Sequence, residues 1–254
     1  MLRSRIIPCL LVHKKGLVKT MNFKNPKYVG DPLNAVKIFN EKEVDELIVL
    51  DIDASKEKRA PNFEMIKNLA VECRMPFCYG GGITTIEEAR KIISLGAEKV
   101  ALSSAAIENL NLCKEIGNVI GNQSVVVVID VKKKKMFGGY DVYTINGTKK
   151  SKWKLTELVK ELDKIGIGEI VINSIDNDGT MGGYDLDLAE SVRENCYMPL
   201  TILGGAGSLE DVRDVISKFK IIGVAAGSLF VFKGKYRAVL INYPNRKERK
   251  PLYL

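Results

Sequence analysis

The chain repeats itself internally. The segment PFCYGGGITTIEEARKIISLGAEKVALSS (residues 76–104) parallels PLTILGGAGSLEDVRDVISKFKIIGVAAGS (199–228), and LDIDAS (50–55) parallels IDNDGT (175–180). In each copy a β-branched apolar run ends in glycines, an amphipathic helical pattern follows, and a second apolar run ends in small residues. A unit of this kind cannot bury its apolar face alone, so the copies must pack against one another. Runs of strand length occur at residues 5–11, 46–51, 76–80, 99–103, 124–130, 169–175, 199–204 and 222–227. They are nearly continuous in apolar character, as strands covered on both faces are. Helical patterns such as IEEARKIISLG, LTELVKELDKIG and LEDVRDVISKF lie between them. The pattern predicts an α/β fold, a (βα)8 TIM barrel built from two half-barrel repeats. An open doubly wound sheet is the alternative that the repeat disfavours.

The 254 residues, 46% of them hydrophobic, suffice for one such barrel. No run approaches the roughly 20 apolar residues of a membrane helix. The N-terminal MLRSRIIPCLLVHKKG lacks a small-residue cleavage site and reads as a first strand. Cys9, Cys73, Cys78, Cys113 and Cys196 form no CxxC pair, and the chain has one histidine. That argues against a Cys/His zinc site and for a reducing cytoplasm; no metal or cofactor is expected. The net charge of +8 is spread over the chain without a nucleic-acid motif, and suits a phosphorylated small molecule. The barrel is expected to occupy residues 1–232. Residues 233–254, KGKYRAVLINYPNRKERKPLYL, form an atypical basic tail with β-like sections where a long helix would normally finish a barrel. Lys132 to Lys135 reads as a solvated loop, and Trp153 as a residue packed at a helix start.

Barrels of this kind carry their chemistry at the C-terminal ends of the strands. There the sequence places Gly80-Gly81-Gly82 after the third strand and Ser103-Ser104 after the fourth. Gly204-Gly205-Ala206-Gly207 follows the seventh, and Gly227-Ser228 the eighth. Glycine lets backbone approach an anion, and a following helix offers free N–H groups. One such turn alone would be read as a tight connection. Two pairs recurring in register predict two phosphate sites facing across one mouth, and a ligand with a phosphate at each end.

Asp130 ends the fifth strand, between those sites, and can act as a general acid or base. Asp51 and Asp176 end the second and sixth strands, with Asp53 and Asp178 just beyond. Each of these four can equally brace a loop. Asp176 and Gly179, in SIDNDGT, are assigned to the phosphate-binding set, Asp176 as a group that orients backbone or ligand. The repeat predicts a partner for Asp130 at the end of the first strand, where Leu11 stands. His13 is close by and is a candidate acid–base group, although an ordinary exposed loop position also explains it. Lys19 lies in a loop over residues 14–30 expected to cover the mouth; it can contact phosphate, close over substrate, or be solvated.

In order along the chain, RIIPCL, LVK, NF, GDP, DEL, LDI, GGGI, NQSVVV, SIDNDGT, GYDL, GGAG and AAGSLF resemble the HisF family, the cyclase subunit of imidazole glycerol phosphate synthase, over about residues 3–232. The resemblance implies a (βα)8 barrel that takes ammonia from a HisH glutaminase docked at its N-terminal face. It further implies cleavage and cyclisation of a substrate carrying two phosphates. The family's two catalytic aspartates match Leu11 and Asp130, so one is lost, and its mobile-loop lysine matches Lys19. Its phosphate-binding turns match those above, with Ser103 where asparagine is usual. Its ring of charges gating ammonia entry matches Arg5, Glu46, Lys99 and Glu169, all present. Taken alone, these four would be read as stabilising the barrel bottom.

An intact ammonia end, an altered cyclising end and a new tail together resemble the HisF-like proteins of surface-polysaccharide gene clusters, the WbuZ type. These are thought to work with a HisH-like glutaminase and a third amidotransferase protein. The first expectation is therefore an ammonia-delivering subunit acting on a phosphorylated or nucleotide-linked sugar. The second is a cyclase with one aspartate replaced. The third is a scaffold that only activates its partner.

Overall fold

A computed structural model of the chain describes residues 3–136 and 138–253. The eight runs form strands β1 (Arg5–His13), β2 (Leu47–Asp51), β3 (Phe77–Gly80), β4 (Lys99–Leu102), β5 (Val125–Lys133), β6 (Glu169–Ser174), β7 (Leu200–Leu203) and β8 (Gly223–Ala226). Each pairs in parallel with its sequence neighbours, and β8 pairs back onto β1, closing the (βα)8 barrel. The expected helices stand at Ile86–Ser94, Leu155–Ile165 and Leu209–Phe219. The first and last of these begin with the same device, a capping box, Thr85 with Glu88 and Ser208 with Asp211. The repeat is thus retained down to the hydrogen bonds that start its helices.

The strands look uniformly apolar in sequence, yet their side chains alternate between two environments. In β5, Val125, Val127, Ile129 and Val131 join the large core between barrel and helices. Val126 and Val128 join a smaller core inside the barrel, with Ile7, Cys9, Ile48, Cys78, Ala101, Val171 and Ala225. The inward period carries Arg5 to Leu11 along β1, Lys99 to Ser103 from β4, and Glu169 to Asn173 along β6. Charged groups at the bottom, apolar groups in the middle and polar groups at the mouth therefore share one interior axis.

Two antiparallel hairpins depart from expectation. Residues 14–30 are not a loop. Gly16–Met21 and Lys24–Gly30 pair with each other, and the first also pairs with β1. After β5, Tyr140–Thr144 and Lys149–Lys154 repeat the arrangement in the second half. Lys132 and Lys133 lie in β5 paired with that hairpin, not in a loop. Trp153 sits just before the helix Leu155–Ile165, as expected, with its indole N–H donating to Ile107 O at 3.0 Å.

The tail folds back under the barrel. Phe232–Lys233 pairs with Ala238–Val239, and a short helical turn covers Arg246–Arg249. Asp45, beside the start of β2, anchors it. Its carboxylate accepts from Arg249 Nη1 at 2.9 Å, Tyr253 Oη at 3.0 Å, Arg3 Nη2 at 2.8 Å and the Ile6 amide at 3.0 Å. Tyr243 Oη donates to Ile6 O at 2.8 Å and accepts from the Asp45 amide at 3.3 Å. Among the described residues no helix is long and apolar enough to cross a membrane.

Candidate functional site

At the bottom of the barrel four side chains close a ring of alternating charge. Arg5 pairs with Glu46 and, at 2.7 Å, with Glu169. Lys99 pairs with Glu46 at 2.7 Å and with Glu169 at 2.9 Å. Thr201 Oγ1 donates to Glu169 as well. Burial works against the charges of Arg5, Lys99 and Glu169, yet their ion pairs outweigh it. Glu169 is held below the ordinary carboxylate range, while Lys99 and Arg5 are held above theirs. The structure thus brings the four expected gate residues together, with every member paired on both sides.

At the other end lies an open cavity. Gly81, Gly82, Ser103 and Ser104 line one side, and Gly204, Gly205, Gly227 and Ser228 the other. Gly81 and Gly82 have positive φ, and so do their repeat counterparts Gly204 and Gly205. At Gly205 packing alone demands glycine, since a Cβ would lie 2.0 Å from Gly183 O. Gly227 differs: a Cβ there would meet no backbone closer than 3.2 Å, but would lie 2.4 Å from Lys19 Nζ. The short helices that start at Ser104 and Ser228, both lining the cavity, have no side-chain cap hydrogen bond among the described residues. Ser104 Oγ, by contrast, is already used, accepting from the Ile145 amide at 2.9 Å.

Asp130 lines this cavity and is buried; its Oδ1 accepts from Asn173 Nδ2 at 2.9 Å. Burial is the largest influence and pushes its carboxyl up to about 7; Asn173 acts against the shift and the charge of Asp178 adds to it. A carboxyl in that range can both give and take a proton at neutral pH. β1 stands across the barrel from β5, and its Leu11 lines the mouth, packed on the inner apolar core.

The hairpin Gly16–Gly30 carries Lys19 inside. Its Nζ donates to Cys9 O at 2.6 Å, and among the described residues it has no carboxylate within ion-pair distance. Burial draws its ammonium down, with Cys9 and Asp178 acting the other way. Asp178 fastens the hairpin, accepting from Thr20 Oγ1 at 2.6 Å and from the Phe23 amide at 3.0 Å. The second hairpin reaches the same mouth. Asn146 lines the cavity, and a Cβ at Gly147 would lie 3.0 Å from the Phe23 ring.

Two candidate positions, Asp176 and His13, fall outside the cavity, and two that line it, Gly179 and Asp51, are accounted for by packing or loop bracing. Asp176 is exposed and does not line the cavity; it accepts the Lys133 amide at 2.8 Å, so it orients backbone, not ligand. Gly179 does line it, but a Cβ there would lie 2.0 Å from Thr20 O, which accounts for the glycine by itself. His13 does not face the mouth, because Nδ1 is bound to Asp53 Oδ1 at 2.7 Å. Asp51 braces its loop, accepting from the Asp53 and Ala54 amides and Arg59 Nη2. Asn173 is not among the candidates read from the sequence, and Asp178 appears there only beside Asp176 as a possible loop brace. The inward alternation from Glu169 to Asn173 was the available signal.

The histidine biosynthesis protein family matches residues 5–237 of this chain. A Vibrio vulnificus protein named putative imidazole glycerol phosphate synthase subunit hisF3 is 56% identical over 250 residues, 98% of this chain and 96% of its own length. This chain belongs to the HisF family. Another relative, from Leptospira borgpetersenii and named putative imidazole glycerol phosphate synthase subunit HisF, is 54% identical over 253 residues, 100% of each chain. That alignment takes in the tail. The HisF protein of Streptococcus sanguinis, named imidazole glycerol phosphate synthase subunit HisF, is 40% identical over 230 residues, 91% of each.

Proposed function

We propose that this HisF-family chain is the ammonia-accepting subunit of a glutamine-dependent amidotransferase complex. A HisH-like glutaminase docks at its N-terminal face, and the mouth takes a phosphorylated ligand. The acceptor is a sugar of the kind amidinated for surface polysaccharides, and a third protein completes that transfer. The carrying observation is Leu11. It occupies the mouth end of β1, opposite Asp130, as part of the apolar interior. Leucine moves no protons, so the two-aspartate cyclisation implied by the family resemblance lacks one of its groups. The closed ring of Arg5, Glu46, Lys99 and Glu169 supports a retained ammonia entrance.

A second reading, the cyclase of imidazole glycerol phosphate synthase, is favoured by the names of the relatives and by the carboxyl of Asp130 near neutrality. The deciding experiment gives purified protein the two-phosphate ribulosyl aminoimidazole carboxamide substrate with excess ammonium at alkaline pH, followed by HPLC. The expected result is bound substrate without turnover. Turnover abolished by Asp130→Asn overturns the first reading in favour of the cyclase.

A further inference from the structure

Lys19 has more chemistry available than a phosphate contact would use. It is 5% exposed, yet it lines the mouth. An ammonium has three protons to donate, and here one acceptor, Cys9 O, takes one of them. A neutral amine held through one N–H keeps its lone pair free for a ligand. The amine lies directly over the β8 turn, close enough to exclude any Cβ at Gly227. The titratable groups acting on it are the Cys9 thiol on β1 and the Asp178 carboxyl beyond β6. Asp178 spends Oδ2 on Thr20 and Phe23 and, among the described residues, leaves Oδ1 uncommitted. Burial draws the lysine down, the direction that favours the free amine over the ammonium.

We propose that Lys19 forms a covalent imine with the carbonyl carbon of a phosphorylated keto sugar bound in the mouth. The inference rests on the mouth taking a phosphorylated ligand. The Lys19 nitrogen attacks the carbonyl carbon; a C–N bond forms, and the C=O π pair moves to oxygen. That oxygen takes a proton from the Asp178 carboxyl, and the nitrogen returns one to the carboxylate. The same carboxyl then protonates the hydroxyl, the C–O bond breaks, water leaves, and the nitrogen lone pair closes the iminium. Ammonia attacking this carbon forms a second C–N bond. The added nitrogen passes one proton to the lysine nitrogen, whose C–N bond then breaks to restore the amine and release an ammonia-derived iminium; that iminium gives a proton to the Asp178 carboxylate, leaving the imine and the starting carboxyl. The iminium is more electrophilic than the ketone it replaces, so the chain's own lysine would prepare the carbon that ammonia attacks.

The test incubates the full chain with ribulose 1,5-bisphosphate and sodium cyanoborohydride, and reads the adduct by intact mass and peptide mapping. Binding is followed in parallel by calorimetry. The expected result is one adduct per chain on Lys19, formed about tenfold or more faster than on the exposed lysines and competed by inorganic pyrophosphate. Lys19→Arg should keep bisphosphate binding and lose the adduct. Asp178→Asn should slow its formation. Bisphosphate that binds while reduction labels only surface lysines overturns the imine and leaves the phosphate mouth standing. Bisphosphate that neither binds nor labels overturns both.

Discussion

The two ends of the barrel handle buried charge in opposite ways. At the bottom Arg5, Glu46, Lys99 and Glu169 are each paired twice, and the pairing holds Arg5, Lys99 and Glu169 toward their charged forms. At the mouth Lys19 and Asp130 hold neutral partners, a carbonyl and an amide. Burial there drives the lysine down and the aspartate up, toward the pH at which protons move. One interior axis thus carries a fixed charge cluster at one end and titrating groups at the other. The lesson is that burial alone does not assign a role to an ionisable group; the identity of its partner does.

The contrast is broken most severely at the bottom. Glu169→Ala strips Arg5 and Lys99 of a shared partner and should cost about 3–5 kcal/mol, read from urea denaturation. A loss near zero would mean that the ring contributes little. Leu11→Asp sharpens the mouth by supplying the missing carboxylate. Ammonium-dependent cyclisation should rise about a hundredfold or more by HPLC; an unchanged rate would put the defect elsewhere than Leu11.

Asp130 offers a pH test. Its folded-state carboxyl lies near 7 against an ordinary 3.8, so between those values the folded chain binds more protons than the unfolded one. Stability should therefore fall as pH rises through that window. Asp130→Asn should flatten the slope and add on the order of 2 kcal/mol at pH 8, measured by denaturation at several pH values. The smallest effect is expected at the tail. Tyr243→Phe removes the hydroxyl joining Ile6 O to the Asp45 amide and should cost about 1 kcal/mol in thermal unfolding.

The same contrast explains what could be read in advance. The eight strands were legible because burial on both faces leaves unbroken apolar runs, and the helices because their caps and periodicity survive in both halves. The hairpins were not. Lys24–Gly30 and Lys149–Lys154 are largely exposed and rich in lysine, so no apolar periodicity marks them. The bottom ring was assigned through a family likeness and then found assembled. At the mouth Asp130, Lys19 and the glycine turns line the cavity. The pair Asp176 and Asp178 was not resolved, because the turn between them decides which one faces inward, and that turn is held by contacts from residues 20–23, over 150 positions away.

The seam where the barrel closes imposes an order on its assembly. Arg5 sits in register with Gly223, and Tyr243 binds Ile6 across 237 positions of sequence. The first strand, although made first, has one edge unpaired until nearly all the chain has been synthesised. Contacts this distant slow folding and prolong the time an open strand edge is available to other molecules. Cellular yield of this protein should therefore depend more on temperature and chaperone supply during synthesis than its finished, heavily cross-braced form would suggest.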